Sequence, residues 1–126
     1  MRRDGIWHPH LLSVVAAAGH GDLIAIVDAG MPVPIDRVVI DLIWARNEPG
    51  FVPVLKAVLA ECVVESVLIA SEMVDAPDVE AMIAHLPAAR VSHEELKLSL
   101  ARCRAVVRTG ESTPYRNIIL GCGVAF

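Results

Sequence analysis

Three familiar signatures are missing from this 126-residue chain: no GxSxG, no GxxxxGKS/T and no HExxH occurs. Their absence removes the commonest serine-hydrolase, phosphate-loop and zincin readings. The three cysteines, Cys62, Cys103 and Cys122, are odd in number and form no CxxC. That excludes the usual zinc and disulfide frameworks, suits a reducing cytoplasm, and leaves them as small core residues. Basic residues form no run beyond Arg2-Arg3, so the clustered face that nucleic-acid binding needs is lacking. Asp36, Asp41, Glu48, Glu61 and Glu65 are equally dispersed, and there is no acidic tail. No apolar stretch is long enough to span a bilayer. Repeats, linkers and low-complexity segments are absent as well. His8-x-His10 has ligand-like spacing but no further cluster near it; it reads as surface, and no metal is expected. Arg2-Arg3 followed by Leu11 to Ala18 has the outline of a signal peptide. Asp4, His8, Pro9 and His10 interrupt that outline, so the segment is read as the first helix.

What the chain does have is apolar residues. They make up 55% of it, the net charge is −4, and the mean hydropathy is +0.54. The length fits one domain, residues 1–126. A monomer of this size does not easily hide so much apolar surface, so a homo-oligomer is expected.

Helix and strand patterns alternate, which predicts an α/β fold: a single-domain three-layer sandwich with a central mostly parallel or mixed sheet. Pro9 opens a helix that runs to the stop signal at Gly19. Strands are expected over 23–28, 38–42, 63–70, 105–108 and 117–120, and helices over 51–62 and 77–86. Ala29 to Pro34 is a loop, because Pro32 and Pro34 cannot both serve a ladder. Ser92-His93-Glu94-Glu95 has the form of a capping box opening a helix to about Arg102.

The first strand is bracketed by an imidazole, His20, and a carboxylate, Asp28. Histidine exchanges protons near neutral pH. Gly19 and Gly21 leave the ring sparsely packed and let a ligand approach the backbone. His20 could be a core histidine bonded to backbone, but the flanking glycines favour a functional role; Asp28 could equally be a loop-capping residue. His93 falls in a helix's first turn, where an exposed role is common. Tyr115, Arg116 and Asn117 offer a phenol, a guanidinium and an amide between a polar turn and the last strand. Such groups suit sugar hydroxyls, which both donate and accept; they also suit ordering a turn. Alternation along a strand puts Tyr115 and Asn117 on one face and Arg116 on the other. Trp44 either stacks on a sugar or packs in the core or an interface.

Taken together, Gly19-His20-Gly21-Asp22, Asp28-Ala29-Gly30-Met31-Pro32-Val33-Pro34, Ile40-Asp41-Leu42, Ser92-His93-Glu94-Glu95-Leu96-Lys97 and the run from Arg108 to Leu120 resemble the ribose pyranase / fucose mutarotase family. The resemblance spans essentially the whole chain. The proline-rich loop and the Ser92 segment look like the ribose branch, while Gly-His-Gly-Asp is shared with the fucose branch. His8, Ser71 and Arg116 depart from the usual asparagine, glutamate and small residue at their positions.

The resemblance implies a cytoplasmic enzyme without cofactor that interconverts ring or anomeric forms of a free monosaccharide, D-ribose above all. It implies ring-shaped homo-oligomers, commonly pentamers stacked into decamers, with sites at subunit clefts. By motif position, His20 matches the family's proton donor, and Asp28, His93, Tyr115 and Asn117 match its sugar-binding positions. An L-fucose mutarotase-like enzyme and a non-catalytic monosaccharide-binding module are the alternatives.

Overall fold

In a computed structural model all 126 residues are described. Chain order runs α1 (Pro9–Ala17), β1 (Leu23–Val27), β2 (Val38–Asp41), α2 (Phe51–Glu61), β3 (Val64–Ala70), α3 (Pro77–Ile83), β4 (Ala88–Val91), α4 (His93–Ser99), β5 (Ala105–Arg108) and β6 (Ile118–Cys122). A single 3-10 turn, Leu100–Arg102, extends α4.

The six strands form one sheet in the order β2-β5-β1-β6-β3-β4. β1 and β2 each run parallel to β5, and β3 runs parallel to β4. β6 is antiparallel to both of its neighbours, β1 and β3, so the sheet is mixed. Central β1, β5 and β6 read as unbroken apolar runs because helices cover both of their faces. Alternate residues then face opposite layers. Ile24, Ile26, Ala105, Val107, Ile118 and Leu120 pack against Leu11 and Val15 of α1, Phe51, Val54, Leu55 and Val58 of α2, and Val79 and Ile83 of α3. Ala25, Val27, Val106 and Ile119 pack against Leu96, Leu100 and Met31. The three layers are therefore helices, sheet, and a thinner cover made of α4 and the loop after β1.

Local chemistry explains most boundaries. The capping box forms: Ser92 Oγ accepts from Glu95 N at 3.2 Å, and Glu95 Oε2 accepts from Ser92 N at 3.3 Å. His8 Nδ1 accepts from Leu11 N at 3.3 Å, so this histidine caps α1. Four expectations are corrected. β4 was not expected, because Ala88-Ala89-Arg90 lacks β-formers; it exists by pairing with β3 at the sheet's edge. α3 stops at Ile83, three residues early, and β6 runs on to Cys122. Ala18, in extended conformation, ends α1, and the left-handed residue of that turn is Gly21 at φ +83°, not Gly19.

Candidate active site

At the C-terminal end of β1 the chain leaves the sheet at Asp28, and four of the five expected site residues meet there. Asn117 is fully buried. Its Oδ1 accepts from Asp28 N at 2.8 Å, and its Nδ2 donates to Asp28 Oδ2 at 2.9 Å. Asp28 Oδ1 accepts in turn from Gly30 N at 3.0 Å, which shapes the loop after the strand. Two hydrogen bonds therefore aim the Asp28 carboxylate, and a third fixes its backbone, before any ligand arrives. His93 stands at the first position of α4, and its ring meets Tyr115 edge-on, with centroids 5.1 Å apart. The His93 backbone N–H donates to Glu72 Oε2 at 2.9 Å.

These groups line one open cleft of about 570 Å³, together with Gly30, Met31, Lys97, Glu111 and the 112–114 turn. Pockets for small ligands typically fall within roughly 300–1,000 Å³. Asn117 supports the cleft from beneath through Asp28. Tyr115 reaches its place by a route the alternation of a strand does not describe. It adopts φ +66°, and Asn117 N donates back to Tyr115 O at 2.9 Å. Tyr115 lies in a tight turn before β6, so it does not share a strand face with Asn117.

Glu111 ties the cleft's far wall. Burial opposes its ionisation, but the N–H groups of Thr113 and Phe51 donate to it and hold its carboxyl below the usual range. Ser112 is tied to Asn47, whose Oδ1 accepts from both the Ser112 N and Oγ. Arg116 turns away and forks onto Asp78 in the first turn of α3, at 2.9 and 3.3 Å.

His20 is elsewhere. It precedes β1, whereas Asp28 follows it, and five strand residues at about 3.3 Å each separate them by about 17 Å. Its ring is 63% exposed, and Nε2 lies 3.2 Å from Glu65 Oε1. A second, smaller hollow surrounds it, lined by Val15, Glu61, Cys62, Cys122 and the C-terminal residues 123–126. A single chain does not bring His20 to the cleft, nor does Asp28 touch the imidazole within one chain.

Sequence patterns did not reveal Glu65, Glu72 or Glu111, because contacts across 20 to 60 residues of chain leave no local trace. Nor did they pair the thiols of Cys62 and Cys122, which lie 3.7 Å apart. The hydrogen-bonding contact with Cys122 lowers the Cys62 thiol to about 7, while burial pushes Cys103 up to about 11. Trp44 is 77% exposed and does not line the cleft, so it is not a core residue. No helix is long and apolar enough to cross a membrane.

The chain is similar to known proteins over its whole length. The model of the RbsD / FucU transport protein family matches residues 1–125. D-ribose pyranase 1 of Rubrobacter xylanophilus is 47% identical over 129 residues, and D-ribose pyranase 2 of Streptomyces griseus is 46% identical; each pairing covers both chains fully. The structure of Bacillus subtilis RbsD complexed with D-ribose superposes with a TM-score of 0.95 at 39% identity, again over the whole of both chains.

Proposed function

The chain belongs to the RbsD / FucU transport protein family, and on that premise we propose that it is a D-ribose pyranase, an isomerase interconverting the pyranose and furanose forms of free D-ribose. The observation that carries this reading is the convergence of Asp28, His93 and Tyr115, with Asn117 beneath them, on one open cleft. Relatives at 46–47% identity over their full length bear the ribose name. That identity favours ribose over fucose as the substrate.

The chemistry asks for little. Ring opening gives the ring oxygen a proton and takes one from the anomeric hydroxyl, producing the open-chain aldehyde. A different hydroxyl then adds to the carbonyl and closes the other ring. No electrons are exchanged and no covalent bond to the protein forms. One positioned acid/base group typically supplies about 10²–10⁴-fold, and fixing the sugar's hydroxyls adds to that. In this reading Asp28, His93, Tyr115 and Asn117 form the sugar-binding set, with Asn117 acting through Asp28. His20 protonates the ring oxygen and retrieves the proton on closure.

Because His20 and Asp28 occupy opposite ends of β1, that assignment requires the His20 of one subunit to meet the cleft of another. The assembly is a homo-oligomer, a decamer built from pentamers, and residues 1–126 are its single-domain unit. Apolar side chains left open on one chain support this reading: Trp7, Val38, Trp44, Leu98 and Phe126 are all exposed. Free Cys62, Cys103 and Cys122 suit a cytoplasmic setting.

Saturation-transfer NMR on D-ribose tests the proposal. The chain should accelerate pyranose–furanose exchange, and His20→Ala should bring it down by about 10²–10⁴-fold. Undiminished exchange in His20→Ala removes His20 from its role. Acceleration of L-fucose anomer exchange without any effect on ribose rings would assign a mutarotase instead. Ribose binding without exchange would assign a binding module.

A further inference from the structure

The His20 corner holds three carboxylates, and two are already engaged. Asp22 accepts from Gly19 N at 2.9 Å and from Arg104 at 2.8 Å. Glu61 pairs with Arg2 at 3.2 Å and also accepts from Ile6 N. Glu65 has a single partner, the imidazole of His20, at 3.2 Å. It reaches that partner through an irregularity of the sheet. Val64 pairs with Cys122 and Ser66 with Gly121, so β3 advances two residues where β6 advances one. Glu65 is the extra residue of this bulge. Bulges re-aim a side chain and collect next to active sites. Gly123 leaves room for the result: a Cβ there would stand 3.1 Å from Glu65 Oε2 and 3.3 Å from its Cβ.

We propose that Glu65 is the positioning residue for His20, taking the Nε2 hydrogen so that Nδ1 is the ring nitrogen that trades protons with the sugar. This rests on His20 being the proton-transfer group. An ionised carboxylate only accepts, so the Nε2 facing it carries a hydrogen, and the neutral ring keeps its lone pair on Nδ1. During ring opening, Nδ1–H of the imidazolium passes to the ring oxygen while the anomeric O–H proton leaves to water. On closure the attacking hydroxyl gives its proton to Nδ1 while the carbonyl oxygen takes one back from water. The Nε2–H stays on Glu65 throughout, and the carboxylate stabilises the imidazolium, the part a carboxylate plays beside a catalytic histidine in other enzymes. An imidazole 63% exposed and otherwise unheld would sample many orientations; the bulge confines it to one.

The test begins on the unaltered oligomer. Long-range ¹H–¹⁵N correlation at pH 8, with His20 assigned by its disappearance in His20→Ala, should show the Nε2–H tautomer. Glu65→Ala should erase that preference. In exchange kinetics on ribose, Glu65→Ala should lower kcat about tenfold and leave KM within about twofold, a fraction of what a general acid/base supplies. Glu65→Gln, whose amide oxygen still accepts, should fall between. Glu65 is exposed, so melting and assembly size should not change. An Nδ1–H tautomer, or a Glu65→Ala kcat within twofold of the unaltered protein while His20→Ala is inactive, overturns the pairing and leaves His20 standing. Full exchange by His20→Ala overturns the underlying role of His20, and the pairing with it.

Discussion

The two ends of β1 are built on opposite plans. At the Asp28 end most carboxylate and amide groups are tied by the chain itself, while the buried Nδ1 of His93, a residue lining the cleft, has no partner. Asn117 is sealed beneath Asp28, Glu111 is tied to two backbone amides, and Ser112 is tied to Asn47. At the His20 end the imidazole is mostly exposed and held by one contact to a half-exposed carboxylate. A rigid pocket fixes a sugar's hydroxyls at low entropic cost, since little has to be ordered on binding. A proton carrier has to approach one atom of that sugar, and in the proposed role His20 would do so from a neighbouring subunit. In the proposed function one end binds and the other performs the chemistry, and a working site then takes one end from each of two chains.

The sharpest way to break this division is to mix two inactive proteins. His20→Ala keeps an intact cleft, and Asp28→Ala keeps an intact His20. If each site joins the two ends from different chains, random co-assembly at equal amounts restores about a quarter of the sites. Mixed after unfolding and reassembly, the pair should regain roughly a quarter of the unaltered exchange rate, whereas either alone stays near the spontaneous one. Exchange that stays at the spontaneous level after mixing would place both ends of a working site in a single chain, against the geometry of β1.

A smaller effect separates the ends by stability. Asn117→Ala strips the acceptor from Asp28 N and the donor from Asp28 Oδ2 in a buried setting. Leaving such groups unpaired costs about 1–3 kcal/mol, which lowers Tm by roughly 5 °C or more in a domain of this size. His20→Ala removes an exposed side chain and should stay within about 0.5 kcal/mol. Calorimetry on the two variants checks this. Equal losses would mean that the corner is as firmly built as the cleft.

The sequence marks the Asp28 end better than the His20 end, for physical reasons. Local signals marked the cleft's components: a β-rich run ended by Asp28, a capping box that starts α4 at His93, and a polar turn before the last strand. These depend on contacts within a few residues. Their meeting depended on β1, β5 and β6 lying side by side, and the continuous apolar runs of those strands implied as much. The position of Tyr115 was misjudged because a left-handed residue interrupts the alternation. Glu65 was invisible as a partner of His20, since a bulge between Val64 and Ser66 arises only when β3 meets β6. β4 was invisible too: two of its four residues are alanines, and the segment has strand form because β3 offers an edge.

The smallest expected effect concerns the ion pair that Arg116 makes beside the cleft. Arg116 forks onto Asp78 and holds the Asp78 carboxyl below the usual carboxylate range. A carboxyl lowered on folding stabilises the native state at pH values above its unfolded pKa, about 3.9. That contribution fades as pH falls through the lower native value. The Asp78 carboxylate is about half exposed, so solvent screens the pair and its worth near neutrality is about 1 kcal/mol or less. Arg116→Ala should therefore melt slightly below the unaltered protein at pH 7, with the gap closing as the pH drops below 4. The cleft should barely notice, because Asn117 still anchors the same turn to Asp28. A rise in KM for ribose larger than about threefold would show that one surface pair steers Tyr115, and that the binding end is less self-sufficient than its buried network implies.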